Sequence, residues 1–267
     1  MGRTLRCFLL LTLVAASGES QEVHYSYAHS GTGFFSLGGR SVQVARIPFA
    51  YRLREAENEQ WGLKLRFPVS LGFHEFTIRE GLDQPLKETV ETIALAVGLE
   101  AEIPRWKSWR LKPYAEIGLG KRLSGNEEAL LYRAGMRSVW RVPRERLDLR
   151  LGAALKFEGF ELLDGDARDS YGVAEVGGEI RWPAGFELRE NPANLGAYLI
   201  ARRFLPEIEL VPRGSEPTVI ENQTELGLTF GTEPSLSLWG LDAPRLGLAY
   251  RWGDGLSAYR LNFGFPF

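Results

Sequence analysis

Residues 61–73 read WGLKLRFPVSLGF, with Trp61, Leu63, Leu65, Phe67, Val69, Leu71 and Phe73 at every second position. Gly62, Lys64, Arg66, Pro68, Ser70 and Gly72 fill the places between. A strand turns successive side chains to opposite faces, so all the apolar groups gather on one side. A helix would scatter them around its circumference. The run is also long: soluble strands usually have about 5–6 residues, whereas a tilted membrane strand needs about 9–11.

The same period recurs along the chain. In Leu147–Phe157, Leu147, Leu149, Leu151, Ala153, Leu155 and Phe157 alternate with Asp148, Arg150, Gly152, Ala154 and Lys156. In Leu130–Val142, Tyr132, Ala134, Met136, Ser138 and Trp140 oppose Arg133, Gly135, Arg137 and Arg141. Weaker versions run through Ile93–Leu99, Leu111–Leu119, Gly172–Trp182, Leu195–Phe204, Ile220–Phe230 and Leu246–Trp252. Stretches rich in Gly, Pro, Asn, Asp and Glu separate them, as at Glu55–Gln60, Ser124–Glu128, Asp164–Asp169 and Pro206–Pro217. With Val23–Leu37 and Val42–Leu53 as a first pair and the segment from Tyr259 as the last strand, the pattern predicts about twelve strands. The first pair and Ser235–Trp252 are the least sharply patterned, which leaves ten or fourteen open. The fold class expected is all-β, a closed antiparallel transmembrane β-barrel. Lipid offers no hydrogen bonds, so every strand edge must find a partner, and an even strand number returns both ends to one side.

Composition is compatible with this and narrows little else. The 267 residues are 44% hydrophobic and include 30 glycines, seven tryptophans, nine tyrosines and fifteen phenylalanines. A formal net charge of −2 with mixed charges gives no case for nucleic acid. Beyond the N-terminus no apolar run approaches the roughly 20 residues of a membrane helix. Arg3 and Arg6, the apolar core CFLLLTLVAA (residues 7–16) and the small residues Ala15 to Gly18 predict a secretory signal over 1–20. A single barrel domain would occupy 21–267. Cys7 falls inside the apolar core, ahead of the small residues, which argues against lipidation. It leaves the mature chain without thiol or disulfide chemistry.

The last strand carries its own signal. Tyr259, Leu261, Phe263, Phe265 and Phe267 occupy every second position to the final residue, with small or polar residues between. This resembles the terminus that bacterial outer-membrane barrels present to their assembly machinery. The size and about twelve strands resemble the translocator domain of autotransporters. The short leader, SYAHSGTG (residues 26–33) and LKLRFPVSLGF (residues 63–73) resemble the solitary autotransporter-type outer-membrane barrel family. The resemblance implies an outer-membrane location, a twelve-stranded wall, contact with outer-membrane lipid and lipopolysaccharide, and assembly by the barrel machinery with periplasmic chaperones. It implies no established activity and no passenger.

The polar face sets the expected interior. Lys64, Arg66, Lys112, Glu116, Arg133, Arg137, Arg141, Asp148, Arg150, Lys156, Glu175, Glu179 and Arg181 are predicted to line the lumen, because Arg or Lys facing lipid near the midplane costs about 2–4 kcal/mol. Such a set forms either a charged pore or a network of ion pairs that fills a narrow lumen, and the second reading is taken here. Trp61, Trp140, Trp182 and Trp252 lie near predicted strand ends and read as interface anchors rather than ligand platforms. A monomer is expected, with Glu75–Glu88, Leu123–Glu128, Glu161–Asp169 and Pro206–Pro217 facing outward. No metal site and no cofactor are expected. Zinc wants about three or four converging ligands, and the histidines are only His24, His29 and His74. Two rivals stand beside this reading. One is a hydrolase at the barrel rim using His74 as base. The other is a soluble, lipocalin-like barrel with an apolar interior.

Overall fold

Twelve antiparallel strands close into a barrel, each paired with its neighbour in sequence and the last with the first. The computed structural model describes residues 31–267 apart from 38–39, 58–59, 77–91, 124–126, 145–146, 165–167, 211–217, 234–236, 239–240 and 243–244. The predicted signal over 1–20, His24, His29 and residues 26–30 of the 26–33 motif lie outside the described residues. So does most of the Glu75–Glu88 segment.

The strands are β1 (Gly33–Leu37), β2 (Arg40–Ile47), β3 (Ala50–Arg54), β4 (Gly62–Arg66), β5 (Val69–Phe76), β6 (Thr92–Trp106), β7 (Trp109–Arg122) and β8 (Glu128–Pro143). They continue with β9 (Asp148–Leu162), β10 (Arg168–Leu188), β11 (Asn191–Leu210), β12 (Thr218–Thr232), β13 (Ser237–Leu238), β14 (Leu241–Asp242), β15 (Leu246–Gly253) and β16 (Leu256–Asn262). The wall has twelve members because β2 and β3 are one strand, and β4 and β5 another. Ile47 faces Val69 and Ala50 faces Arg66 in a single continuous register, so Pro48 stands opposite Pro68. Phe67 N–H donates to Phe49 O at 2.9 Å, which makes their pair a bonded rung and the proline pair the unbonded position beside it. Neither proline therefore removes a bond between these two strands. The small β13–β14 pair stands apart from the wall.

The ring is sealed where β1 meets β16, from Gly33 opposite Arg260 to Leu37 opposite Leu256. One end of the barrel, toward which β16 runs, is here the terminal end and carries the tight turns after Trp106 and Leu188. The described parts of the four segments expected to face outward all lie at the opposite, loop end.

Side chains sort by parity. Leu95, Ile117, Leu155, Val176, Leu199, Leu228, Leu248 and Tyr259 are exposed around the outer wall. Residues of the other parity turn inward, among them Glu116, Ala154, Glu175, Tyr198, Glu225 and Arg251, all buried. Large rings find room inside through glycine: Tyr114 faces Gly135 and Tyr198 faces Gly227 on adjacent strands.

The predicted last strand is corrected. β16 stops at Asn262, so Tyr259 and Leu261 point outward but Phe263, Phe265 and Phe267 do not extend their row. Gly264 takes a left-handed φ of +93°, and Pro266 has no N–H for a ladder. The chain turns into the lumen, where the Phe265 ring packs on Tyr198 at 5.9 Å and Phe267 is buried among Ala154, Tyr198, Ile200 and Ala249. Other predicted strands were cut short: β6 runs on to Trp106 and β9 to Leu162, while β10 spans Arg168–Leu188 and β11 Asn191–Leu210, well beyond Gly172–Trp182 and Leu195–Phe204.

Candidate functional site in the barrel interior

The interior is layered along the barrel axis. Toward the loop end, Phe35, Val44, Tyr171, Val173, Phe204, Ile220, Leu256 and Ala258 form a buried apolar cluster. Toward the terminal end, the inserted segment 263–267 fills the space beside Val139 and Ile200. Charged side chains occupy the zone between.

Two groups of ions face each other there. In the first, Arg66 pairs with Glu100 and, at 2.5 Å, with Glu116; Arg46 reaches Glu116 at 3.2 Å. Arg133 pairs with Glu158 at 2.6 Å, and Arg137 with Glu100. In the second, Lys156 meets Glu175 at 2.5 Å, and Arg202 bridges Glu175 at 2.7 Å and Glu225 at 2.9 Å. One oxygen of Glu225 also accepts from Arg251 at 2.9 Å and Arg260 at 2.5 Å. Tyr198 donates its hydroxyl to the other oxygen at 2.8 Å, and Tyr171 donates to Glu158 at 3.1 Å. Burial strips water from all these charges, and only such mutual pairing offsets the several kcal/mol that each ion's desolvation costs.

The remaining predicted lumen residues lie nearer the terminal mouth. Lys64 and Arg110 flank Glu102 at 3.3 and 2.6 Å. Lys112 donates to Phe267 O at 3.2 Å, and Arg137 to Pro266 O at 3.4 Å, so both hold the inserted segment. Arg181 pairs with the fully buried Glu179 at 2.6 Å. Asp148 is shared by Arg141 and Arg150, each at 2.8 Å, and both arginines also reach Glu233. Arg141 is half exposed, which places it at the rim rather than along the wall.

Several principal participants escaped the sequence reading. Glu100, Glu102 and Glu158 fall beyond the strand limits drawn from alternation. Arg202, Glu225, Arg251 and Arg260 lie on strands that were recognised, and the same parity rule would have found them. Arg46 lies in the faint first pair.

The four predicted anchor tryptophans are on the outer surface. Trp61 lies under the Arg54 guanidinium at 3.4 Å, and Trp252 stacks on Tyr250 at 5.6 Å. Trp140 faces Trp109 across β7 and β8, and Trp182 is half-buried. Trp106 and Trp109, 5.1 Å apart at the terminal end, were not singled out. The Trp109 indole donates to Ser138 at 2.7 Å and that of Trp140 to Ser108 at 3.2 Å. His74 lies in β5 opposite Val42, and its side chain is outside the described residues. Among the described residues no cluster of three or more His, Cys, Asp or Glu is placed to hold a metal.

The arrangement can hold charge and can bind: each carboxylate of the two groups is engaged by at least one guanidinium or by Lys156, while some buried guanidinium N–H groups lack an acceptor. A cavity of about 200 Å³ remains between the two ion groups. Neither a scan against protein-family models nor a search of curated proteins found a match to this chain.

Proposed function

We propose that the chain is an integral outer-membrane barrel acting as a closed structural or surface-receptor element rather than as a wide pore. One observation carries the reading: a continuous belt of exposed Leu, Val, Ile, Tyr and Trp side chains surrounds an interior of buried Arg and Glu. Water disfavours such an inside-out distribution and hydrocarbon favours it. The soluble lipocalin-like rival requires the reverse, with apolar groups lining the lumen. The signal-like leader and the resemblance to solitary autotransporter-type barrels support export to an outer membrane. The apolar cluster at the loop end and the inserted segment at the terminal end support closure. The smaller-pore reading keeps one supporting observation, the central cavity between them.

Membrane fractionation with heat-modifiable gel mobility tests the reading. The protein is expected in the detergent-extracted membrane fraction and to migrate faster unheated than boiled. Recovery in the soluble fraction without detergent would overturn it. Planar-bilayer recording is expected to show no stable conductance, and a steady conductance would replace the closed reading with the pore. A rim hydrolase predicts that His74→Ala abolishes lipid or peptide hydrolysis; the present reading predicts no effect.

A further inference from the structure

We propose that the central cavity is a binding site for a compact multivalent oxyanion of the phosphate type. Eight arginine and lysine side chains line it, among them Arg66, Arg133, Arg137 and Lys156, and the acids lining it are Glu158 and Glu175. Behind them, Glu100, Glu116 and Glu225 neutralise part of this charge. Eight cations against five carboxylates leave an excess of three positive charges among the described residues. The shortage is plainest at Glu225, where three guanidiniums converge on one oxygen. A guanidinium carries five donors in a planar fork, so Arg137, which pairs with Glu100 yet has a buried Nε–H without an acceptor, keeps a direction for a further one.

Tyr114 marks the place. Its ring lies within 5.2 to 5.5 Å of the guanidinium carbons of Arg66, Arg133 and Arg137. The residue is 6% exposed, lines the cavity, and its hydroxyl has no protein partner. Arg137 Nε, also buried, has none either. A buried hydroxyl and a buried guanidinium N–H without acceptors each cost about 1–3 kcal/mol, more for the charged group. An oxyanion with several acceptor oxygens satisfies both and offsets the charge excess. A cavity of about 200 Å³ admits an ion of this size with some of its water. The tail supplies an internal parallel, since Pro266 and Phe267 already offer oxygens to Arg137 and Lys112. The site is formed by the barrel interior, so it does not rest on membrane residence.

The test is titration of the purified, folded full chain in detergent with inorganic phosphate at low ionic strength. Calorimetry or phosphorus NMR gives the readout, and equal ionic strength of chloride serves as control. Saturable binding with one site is expected, weakened about tenfold or more by Arg137→Gln, which removes a charged donor group, and several-fold by Tyr114→Phe, which removes one hydroxyl donor. Lys121→Gln, which alters an exposed cation paired with Glu128, should bind as the parent does. Tyr114→Phe removes only a hydroxyl that no protein group uses, so it keeps the fold and decides the matter if Arg137→Gln does not fold. Absence of saturable binding, or a Tyr114→Phe affinity equal to that of the parent, would overturn the proposal.

Discussion

The phenol ring of Tyr198 lies over Gly227 on the next strand, in space that a β-carbon at Gly227 would overlap. That placement aims the Tyr198 hydroxyl at Glu225 and gives Phe265 a ring to pack on. Gly227→Ala is therefore expected to displace the ring and destabilise the barrel by about 1–3 kcal/mol, the usual cost of overpacking a filled interior. Guanidinium unfolding in detergent, followed by heat-modifiable mobility, measures this. An unchanged midpoint would show that the ring has room elsewhere.

Glu225→Gln should be the most damaging single change inside the barrel. It leaves Arg202, Arg251 and Arg260 without their common counter-charge. Breaking a buried pair typically costs about 3–5 kcal/mol because the surviving charge is uncompensated. The same denaturation assay applies, and a loss under about 1 kcal/mol would mean that water reaches this zone freely.

Leu228 and Leu248, 63% and 69% exposed, face each other on the outer wall of β12 and β15. Leu228→Arg is expected to cost about 2–4 kcal/mol in a bilayer. The same substitution on the outside of a water-soluble barrel would be neutral within about 0.5 kcal/mol. Refolding into lipid vesicles separates these outcomes.

Removing residues 265–267 should unplug the terminal end. Phe267 is buried and held through Lys112, so its loss opens space next to the charged zone. The shortened protein is expected to show conductance in planar bilayers where the parent shows none. Phe267→Asp tests the separate expectation that the terminal aromatic serves assembly: reduced insertion supports it, and normal insertion counts against it.

The wall was legible because parity is local. In Leu147–Phe157 neighbouring residues alone show which face is apolar, and the structure puts Leu155 outside and Ala154 inside. Strand ends were harder to see. In β6 the alternation continues past Leu99, with Ala101 and Ile103 on the outward row and Glu100 and Glu102 on the inward one, so the parity rule reaches both acids and is lost only at Pro104 and Arg105. The terminal segment misled for the opposite reason. Its alternation runs unbroken to Phe267, while one glycine at +93° redirects the backbone without disturbing the pattern. Partnership between strands was not legible at all. Glu225 meets three arginines from β11, β15 and β16, and such meetings depend on strand order and register rather than on neighbours in sequence.

The ion pair between Arg46 on β2 and Glu116 on β7 spans strands that are not adjacent in the sheet. A flat, uncurled sheet would hold them too far apart to touch. A pairing of this kind forms only once the sheet has curled, so part of the charge compensation inside the barrel is a product of curvature rather than of pairing between neighbouring strands.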